Sequence, residues 1–189
     1  MTMHCTTPPV AEPVTLAEVR AHMRLGTTSE DELLNGLIKA ARQTLEAEIG
    51  MAMISQTWRL HVDAWPRDGR VLIPKFPVRN VVTVTAYRPD GEPVTIPASD
   101  LRLDPSSRPA QLYLSPRCAG MAGLHGLEID FRAGFGDTGT EVPDALKHAI
   151  LSLIAHWYEF RGAVGPESQP ASFPPGFDRL VSIWRRVSL

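Results

Sequence analysis

The chain has 189 residues, with 19 basic and 21 acidic side chains and a formal charge of −2. At roughly 150 residues per domain, this is one domain, or one domain with a small inserted or appended piece, and it can bury a core without help from metal or disulfide. A composition 43% hydrophobic and 21% charged, with a pI near 6.3, excludes a disordered chain and a broadly basic nucleic-acid-coating protein, while leaving room for a local basic patch.

Met1–Pro13 reads as an extended, poorly ordered arm, and it lacks the charged start and apolar run of a signal peptide. Thr15-Leu-Ala-Glu18 is a capping box, with the Thr15 hydroxyl accepting from the Glu18 amide while Glu18 reaches back to the cap. It opens a short helix to about Arg24 with Leu16, Val19 and Met23 on one face, closed by Gly26. Ser29-Glu-Asp-Glu32 reads as a second capping box, its carboxylates placed where the helix dipole favours negative charge. The helix it opens runs to Ile49 and stops at Gly50. Leu34, Leu37, Ile38, Ala41 and Leu45 recur at three- and four-residue spacing as its buried stripe, and Glu30, Lys39, Arg42 and Glu46 are expected to face away.

The period then changes. Over Thr57–Ala64, Trp58, Leu60, Val62 and Ala64 alternate with Thr57, Arg59, His61 and Asp63, the pattern of a half-buried strand. Arg70–Ile73 and the β-branched Val78–Tyr87 follow, and the turn Arg88-Pro-Asp-Gly91 would bring Val94–Ile96 back as a hairpin. Shorter strands are expected at Leu101–Leu103, Gln111–Leu114 and Leu127–Ala133. Strands joined by tight turns with no helix between them imply an antiparallel meander or small barrel.

Helix returns after Val142-Pro143-Asp144, where proline in the first turn and a carboxylate beside it suit a helix start. Leu146, Ala149, Ile150, Leu153, Ile154, Trp157 and Phe160 make a wide apolar face, with Gly162 as terminator. Seventeen prolines are nearly twice the usual share of ~5%, and they mark where regular structure stops. One cluster makes 164–175 a linker or exposed loop. A last helix, Phe177–Val187, sets Phe177, Leu180, Val181, Ile183 and Trp184 against Arg179, Arg185 and Arg186. The fold class is therefore α+β: a helical bundle of two N-terminal and two C-terminal helices with a small antiparallel β-sheet or barrel inserted at about 54–134. By domain, 1–13 is an arm, 14–163 one α+β domain, 164–175 a linker and 176–189 a terminal helix.

Signals for chemistry are sparse. Gly134-Phe-Gly136-Asp-Thr-Gly139 matches GxGxxG, but no βαβ unit precedes it and Pro143 delays the helix whose amides would hold a pyrophosphate. It reads instead as a flexible loop leaving an edge strand. His148 and His156 lie eight apart, not at the i, i+4 spacing of a zinc helix, and no HExxH or Cys–His cluster joins them. No serine lies in a GxSxG elbow. Cys5 and Cys118 form no CxxC and read as incidental reduced thiols. Ala149–Ala155 is far short of the ~20 residues that span a bilayer. The C-terminal helix, with an aromatic anchor in Trp184 and a basic end, allows two readings: it docks on its own core, or it enters a partner's groove.

Taken in order, several motifs resemble one family. These are Pro13-Val-Thr-Leu-Ala-Glu18 with Met23-Arg-Leu25, Asp31-Glu-Leu-Leu34 leading to Ala40-Ala-Arg42, and Gln56-Thr-Trp58 opening the sheet. Phe131-Arg-Ala-Gly134-Phe-Gly136 before Val142-Pro143, and Ala149-Ile-Leu151 running into Ala155-His-Trp-Tyr-Glu159, complete the set. From about Pro13 to Arg186 the chain resembles the tailed-phage head–tail connector (adaptor) proteins, head-completion proteins that also occur in phage-derived gene transfer agents.

The resemblance implies a structural protein with no catalytic role, no cofactor and no metal. It implies a homo-oligomeric ring, a dodecamer in assembled particles, docked under the portal protein, continuing the DNA channel and joining head to tail. The implied partners are the portal protein, neighbouring copies, a tail-side stopper or neck protein, and DNA in transient passage, with no membrane. Its place is the neck of a virion or phage-like particle made in the bacterial cytoplasm. By position the portal-binding segment is the last helix, through Phe177, Leu180, Val181, Ile183, Trp184, Arg185 and Arg186. The arm and the proline-rich stretch depart from the family pattern. Lysines occur only at Lys39, Lys75 and Lys147, so a channel that grips DNA tightly is not expected. The competing expectation is a nucleic-acid-binding protein using Arg179, Arg185 and Arg186.

Overall fold

The computed structural model describes residues 1–121, 126–160 and 173–185. The chain forms two compact units: Met1–Val10 with Ser55–Phe135, which holds the strands, and Ala11–Ile54 with Gly136–Leu189, which holds the helices. In chain order the elements are β1 (Thr2–Thr7), α1 (Leu16–Met23), α2 (Asp31–Ile49), β2 (Gln56–Val62), β3 (Arg70–Ile73) and β4 (Val78–Tyr87). They continue with β5 (Pro93–Thr95), β6 (Leu101–Asp104), β7 (Ala110–Leu114), β8 (Leu127–Ala133), α3 (Asp144–Phe160) and α4 (Phe177–Val181).

The β unit contains two antiparallel sheets, of order β1-β2-β8-β4-β5 and β3-β7-β6. Alternation decides which side chains enter the interior. Leu60, Ile129 and Val84 stand opposite one another on β2, β8 and β4 and are fully buried. In the smaller sheet Val71 and Leu112, paired across β3 and β7, do the same. One residue along, the larger sheet turns charge outward. Arg59 donates to both Asp130 oxygens, Nε to Oδ1 at 2.7 Å and Nη2 to Oδ2 at 2.8 Å, and Glu128 lies 3.3 Å from its guanidinium. The bidentate bond holds the Asp130 carboxyl below its ordinary range.

The first residues are not a loose arm. Thr2–Thr7 pair along β2, with Met3 opposite Leu60 and His4 opposite Arg59. The His4 ring stacks on His61 at 5.3 Å, and the Thr6 hydroxyl donates to the Thr57 carbonyl at 3.2 Å. An edge strand needs only backbone partners on one side, so Thr-Met-His-Cys-Thr-Thr forms one without contributing large side chains to the core.

In the helical unit α1 starts as its capping box requires: the Glu18 amide donates to Thr15 Oγ1 at 3.2 Å and the Thr15 amide to Glu18 Oε2 at 2.7 Å. Arg24, in the left-handed region at φ 56°, ends it two residues before Gly26. The second expected box does not form. Glu30 is the N-cap residue of α2 and gives no side-chain cap, while the Ser29 hydroxyl lies 3.3 Å from that of Thr27. Gly50 closes α2 at φ 69°.

Leu34, Ile38, Ala41 and Leu45 of α2 and Leu146, Ala149, Ile150, Leu153, Ile154 and Trp157 of α3 are buried where these two helices pack. The expected α3 stripe stops short, since Phe160 is 42% exposed. Arg42 and Glu46, expected to face away, are only 4% and 5% exposed. Arg42 donates through Nε to Glu12 at 2.7 Å and through Nη1 to Glu46 at 2.9 Å, and Glu46 Oε1 accepts from the Met53 amide at 2.7 Å. Met51–Ile54, fully buried, bring that amide onto the helix flank and turn a surface i, i+4 pair into an interior one.

Candidate functional site

The glycine loop is the first place a ligand would be sought, and its own chain fills it. It leaves β8, which lies in the middle of its sheet rather than at the edge. A Cβ on Gly136 would lie 1.9 Å from the Glu141 carboxyl carbon. That carboxylate accepts from the Asp137 amide at 2.8 Å, the Thr138 amide at 3.0 Å and the Thr138 hydroxyl at 3.1 Å. These are the donors a phosphate would need, and a carboxylate already holds them. Gly139 is hemmed in by backbone rather than by a side chain, because a Cβ there would meet the Pro13 carbonyl oxygen at 2.6 Å.

The described histidines meet other rings. His22 meets His148 edge-on at 6.1 Å, His156 lies against Phe160 at 4.8 Å, and His4 stacks on His61. Among the described residues no three of His, Cys, Asp and Glu are placed to hold a metal ion. Burial pushes the Cys118 thiol up, the direction of an inert packing thiol. No described helix is long and apolar enough to cross a membrane.

The C-terminal segment divides between its two readings. Phe177 and Val181, one turn apart on α4, are buried in the helical unit, and the Phe173 ring stacks on Phe177 at 4.8 Å. Beyond Val181 the chain continues as a short 3-10 turn, Ser182–Trp184, not as a helix to Val187. There Ile183 is 72% exposed and Leu180 and Trp184 are half-buried. Arg185 is tied down, donating to Glu48 and, at 2.7 Å, to Asp178. Two carboxylates on one guanidinium make Arg185 a poor phosphate ligand. Arg186, Val187 and the expected linker and terminator over residues 161–172 lie outside the described residues. The segment can therefore present an apolar tip, Leu180, Ile183 and Trp184, on a base held by Phe177 and Val181.

Sequence reasoning missed the exposed Leu33, which sits one residue off the Leu34–Ile38–Ala41–Leu45 stripe, and Leu72 on the outer face of β3. It also missed a division of charge that only the unit boundaries reveal. The β unit carries ten basic and eight acidic residues, the helical unit nine and thirteen.

The sequence model of the phage gp6-like head-tail connector protein family matches residues 13–88. No curated protein sequence matches the chain. Among solved structures, it is similar to a chain in the neck of an empty gene transfer agent particle computed with C6 symmetry, at 28% identity and a TM-score of 0.79 over 100% of this chain and 97% of that one. A chain in the virion of the native gene transfer agent particle gives 28% and 0.78 with the same coverage. One in the neck of the native particle computed with C12 symmetry gives 27% and 0.77.

Proposed function

We propose that the chain is a member of the head–tail connector family, a structural and not an enzymatic one, and that it forms a ring under the portal protein of a phage-like particle, joining head to tail around the DNA channel. The observation that carries this reading is likeness over the whole chain. Both units and the C-terminal segment have counterparts in a gene transfer agent neck protein, with 97% of that protein covered in return. The solved necks were computed with C6 and C12 symmetry, which supports a closed ring of copies here, with a dodecamer as the expected size. Ring neighbours meet through two different faces of the same chain, and the rotation must close.

A ring that lets DNA pass must not hold it. A slight net negative charge, with Arg42, Arg59 and Arg185 each held by carboxylates, favours transient contact over multi-phosphate binding. The body of two N-terminal and two C-terminal helices supplies the rigid wall, and the particle neck is where the chain works, with a stopper or neck protein on its tail side.

The portal-binding segment is 177–186. Phe177 and Val181 hold its base, while Leu180, Ile183 and Trp184 present the contact, with Arg185 and Arg186 following them in sequence. Aromatic and arginine anchors dominate such interfaces. Capture on immobilised portal tests this. Trp184→Ala and Ile183→Asp should each weaken binding by about 2 kcal/mol, roughly thirtyfold, while the chain stays folded. Unchanged capture by both variants would remove the segment from the interface.

A further inference from the structure

Two imidazoles meet on the outer face of the five-stranded sheet. Register places His4 of β1 opposite Arg59 of β2, so His61, two residues along β2, is its diagonal neighbour on the same face. The ring centroids are 5.3 Å apart, with the planes 19° from parallel. Both rings reach solvent: His4 is exposed and the His61 side chain is 34% accessible.

The neighbouring charges suit a cation. Glu128 stands opposite His61 on β8, and its Oε1 lies 3.4 Å from His61 Nδ1. A carboxylate at that nitrogen favours the tautomer with its proton there and leaves Nε2 with the lone pair a metal needs. Arg59, the guanidinium beside the pair, is answered by both Asp130 and Glu128, two carboxylates for one positive charge. His22 and His148 also face each other, edge-on at 6.1 Å, but no described carboxylate pairs with either ring.

We propose that His4 and His61 clamp a nitrogen-seeking divalent ion of the zinc class, cross-linking β1 to β2. An ion about 2.0–2.1 Å from one nitrogen of each ring would set the centroids roughly 5–6.5 Å apart, according to the angle at the metal. The observed separation lies within that span. Imidazole suits such an ion, whereas magnesium and calcium take oxygen. Among the described residues no three of His, Cys, Asp and Glu are placed to hold a metal, so water fills the rest of the shell and the ion exchanges. The clamp has a mechanical consequence. β1 is joined to its sheet along one edge only and gives the core no large side chain, so a bond between side chains of β1 and β2 fastens the strand that packing holds least. The proposal stands apart from the ring reading, and neither depends on the other.

Zinc titration of the untagged full-length chain tests it. Calorimetry should give one ion per chain, and a large excess of Mg2+ should not compete. His4→Ala and His61→Ala should each weaken binding about tenfold or more, with unchanged circular dichroism, whereas His22→Ala and His148→Ala should bind like the parent. Zinc should also slow hydrogen exchange in peptides covering Thr2–Thr7 of the parent and not of the first two variants, a change that an ion on a single imidazole would not produce. No binding at about 1 mM zinc would overturn the inference. So would binding that survives both His4→Ala and His61→Ala, binding lost with only one of them, or binding that leaves exchange in β1 unchanged.

Discussion

Replacing Arg42 with alanine should be among the most damaging single changes in the helical unit. Arg42 is 4% exposed and makes three charged hydrogen bonds, two to Glu12 at 2.7 and 3.3 Å and one to Glu46 at 2.9 Å. The carboxylates differ in what they do once the guanidinium is gone. Glu12 keeps about a third of its side chain in solvent and can turn to water, whereas Glu46 is 7% exposed and stays buried. Its hydrogen bond from the Met53 amide remains, but its countercharge is lost. Removing one partner of a buried pair in this way costs about 3–5 kcal/mol. That is a large part of the 5–15 kcal/mol that stabilises a typical domain. Glu12→Gln, which touches only the wetter side, should cost about 1 kcal/mol. Urea unfolding read by amide exchange in α2 peptides separates the two variants. An Arg42→Ala loss below about 1 kcal/mol, or one equal to that of Glu12→Gln, would refute the assignment of the penalty to buried Glu46.

Other expectations follow from the same geometry. Glu18, held at about pKa 2 by Lys147 and the Thr15 amide, lies below its ordinary 4.5, so its contribution is present above about pH 4.5 and is lost as pH falls toward 2. Because Glu18 is 39% exposed, this is worth about 1 kcal/mol, and thermal melts at two pH values in that window should show Lys147→Met removing that part of the acid sensitivity. Gly139→Ala puts a methyl 2.6 Å from the Pro13 carbonyl, a backbone atom that cannot swing aside, and should lower the melting temperature by more than Gly26→Ala, which meets nothing within 4 Å. Phe177→Ala should cost about 3–5 kcal/mol of stability, whereas the exposed Ile183→Ala should cost less than about 0.5 kcal/mol; denaturant midpoints of the two variants check the division of the segment into base and tip.

Most strands could be read in advance because alternation and turn chemistry act locally. Arg70–Ile73, Val78–Tyr87 and Leu127–Ala133 begin and end where the β-branched runs meet Pro, Gly and Asp. Gly50 and the Thr15 box were equally legible, each being a local backbone requirement. What escaped depends on distant chain. The Arg42–Glu46 pair has the spacing of a surface salt bridge, and only Glu12 and Met53, thirty residues before Arg42 and seven after Glu46, make it interior. β1 contributes hydrogen bonds and no large core side chain, so it left no periodic signal. The Ser29 box had the right letters, but the chain enters α2 one residue later. Phe177 and Val181, one turn apart, suit their own core and a partner's groove equally well on paper. Packing assigns them to the core, and the partner-facing role proposed for this segment rests on residues such as Ile183, whose exposure no pattern encodes.

The claim at the centre is that this chain becomes a closed wall around a channel when it meets a portal. Electron microscopy of the full-length protein mixed with assembled portal tests it most directly. The account predicts extra density under the portal with its rotational symmetry, about twelve copies around an open axis, a number in line with the C12 symmetry used for one solved neck, and its loss with Ile183→Asp. Portal particles with no added density, or single copies bound without a ring, would contradict it.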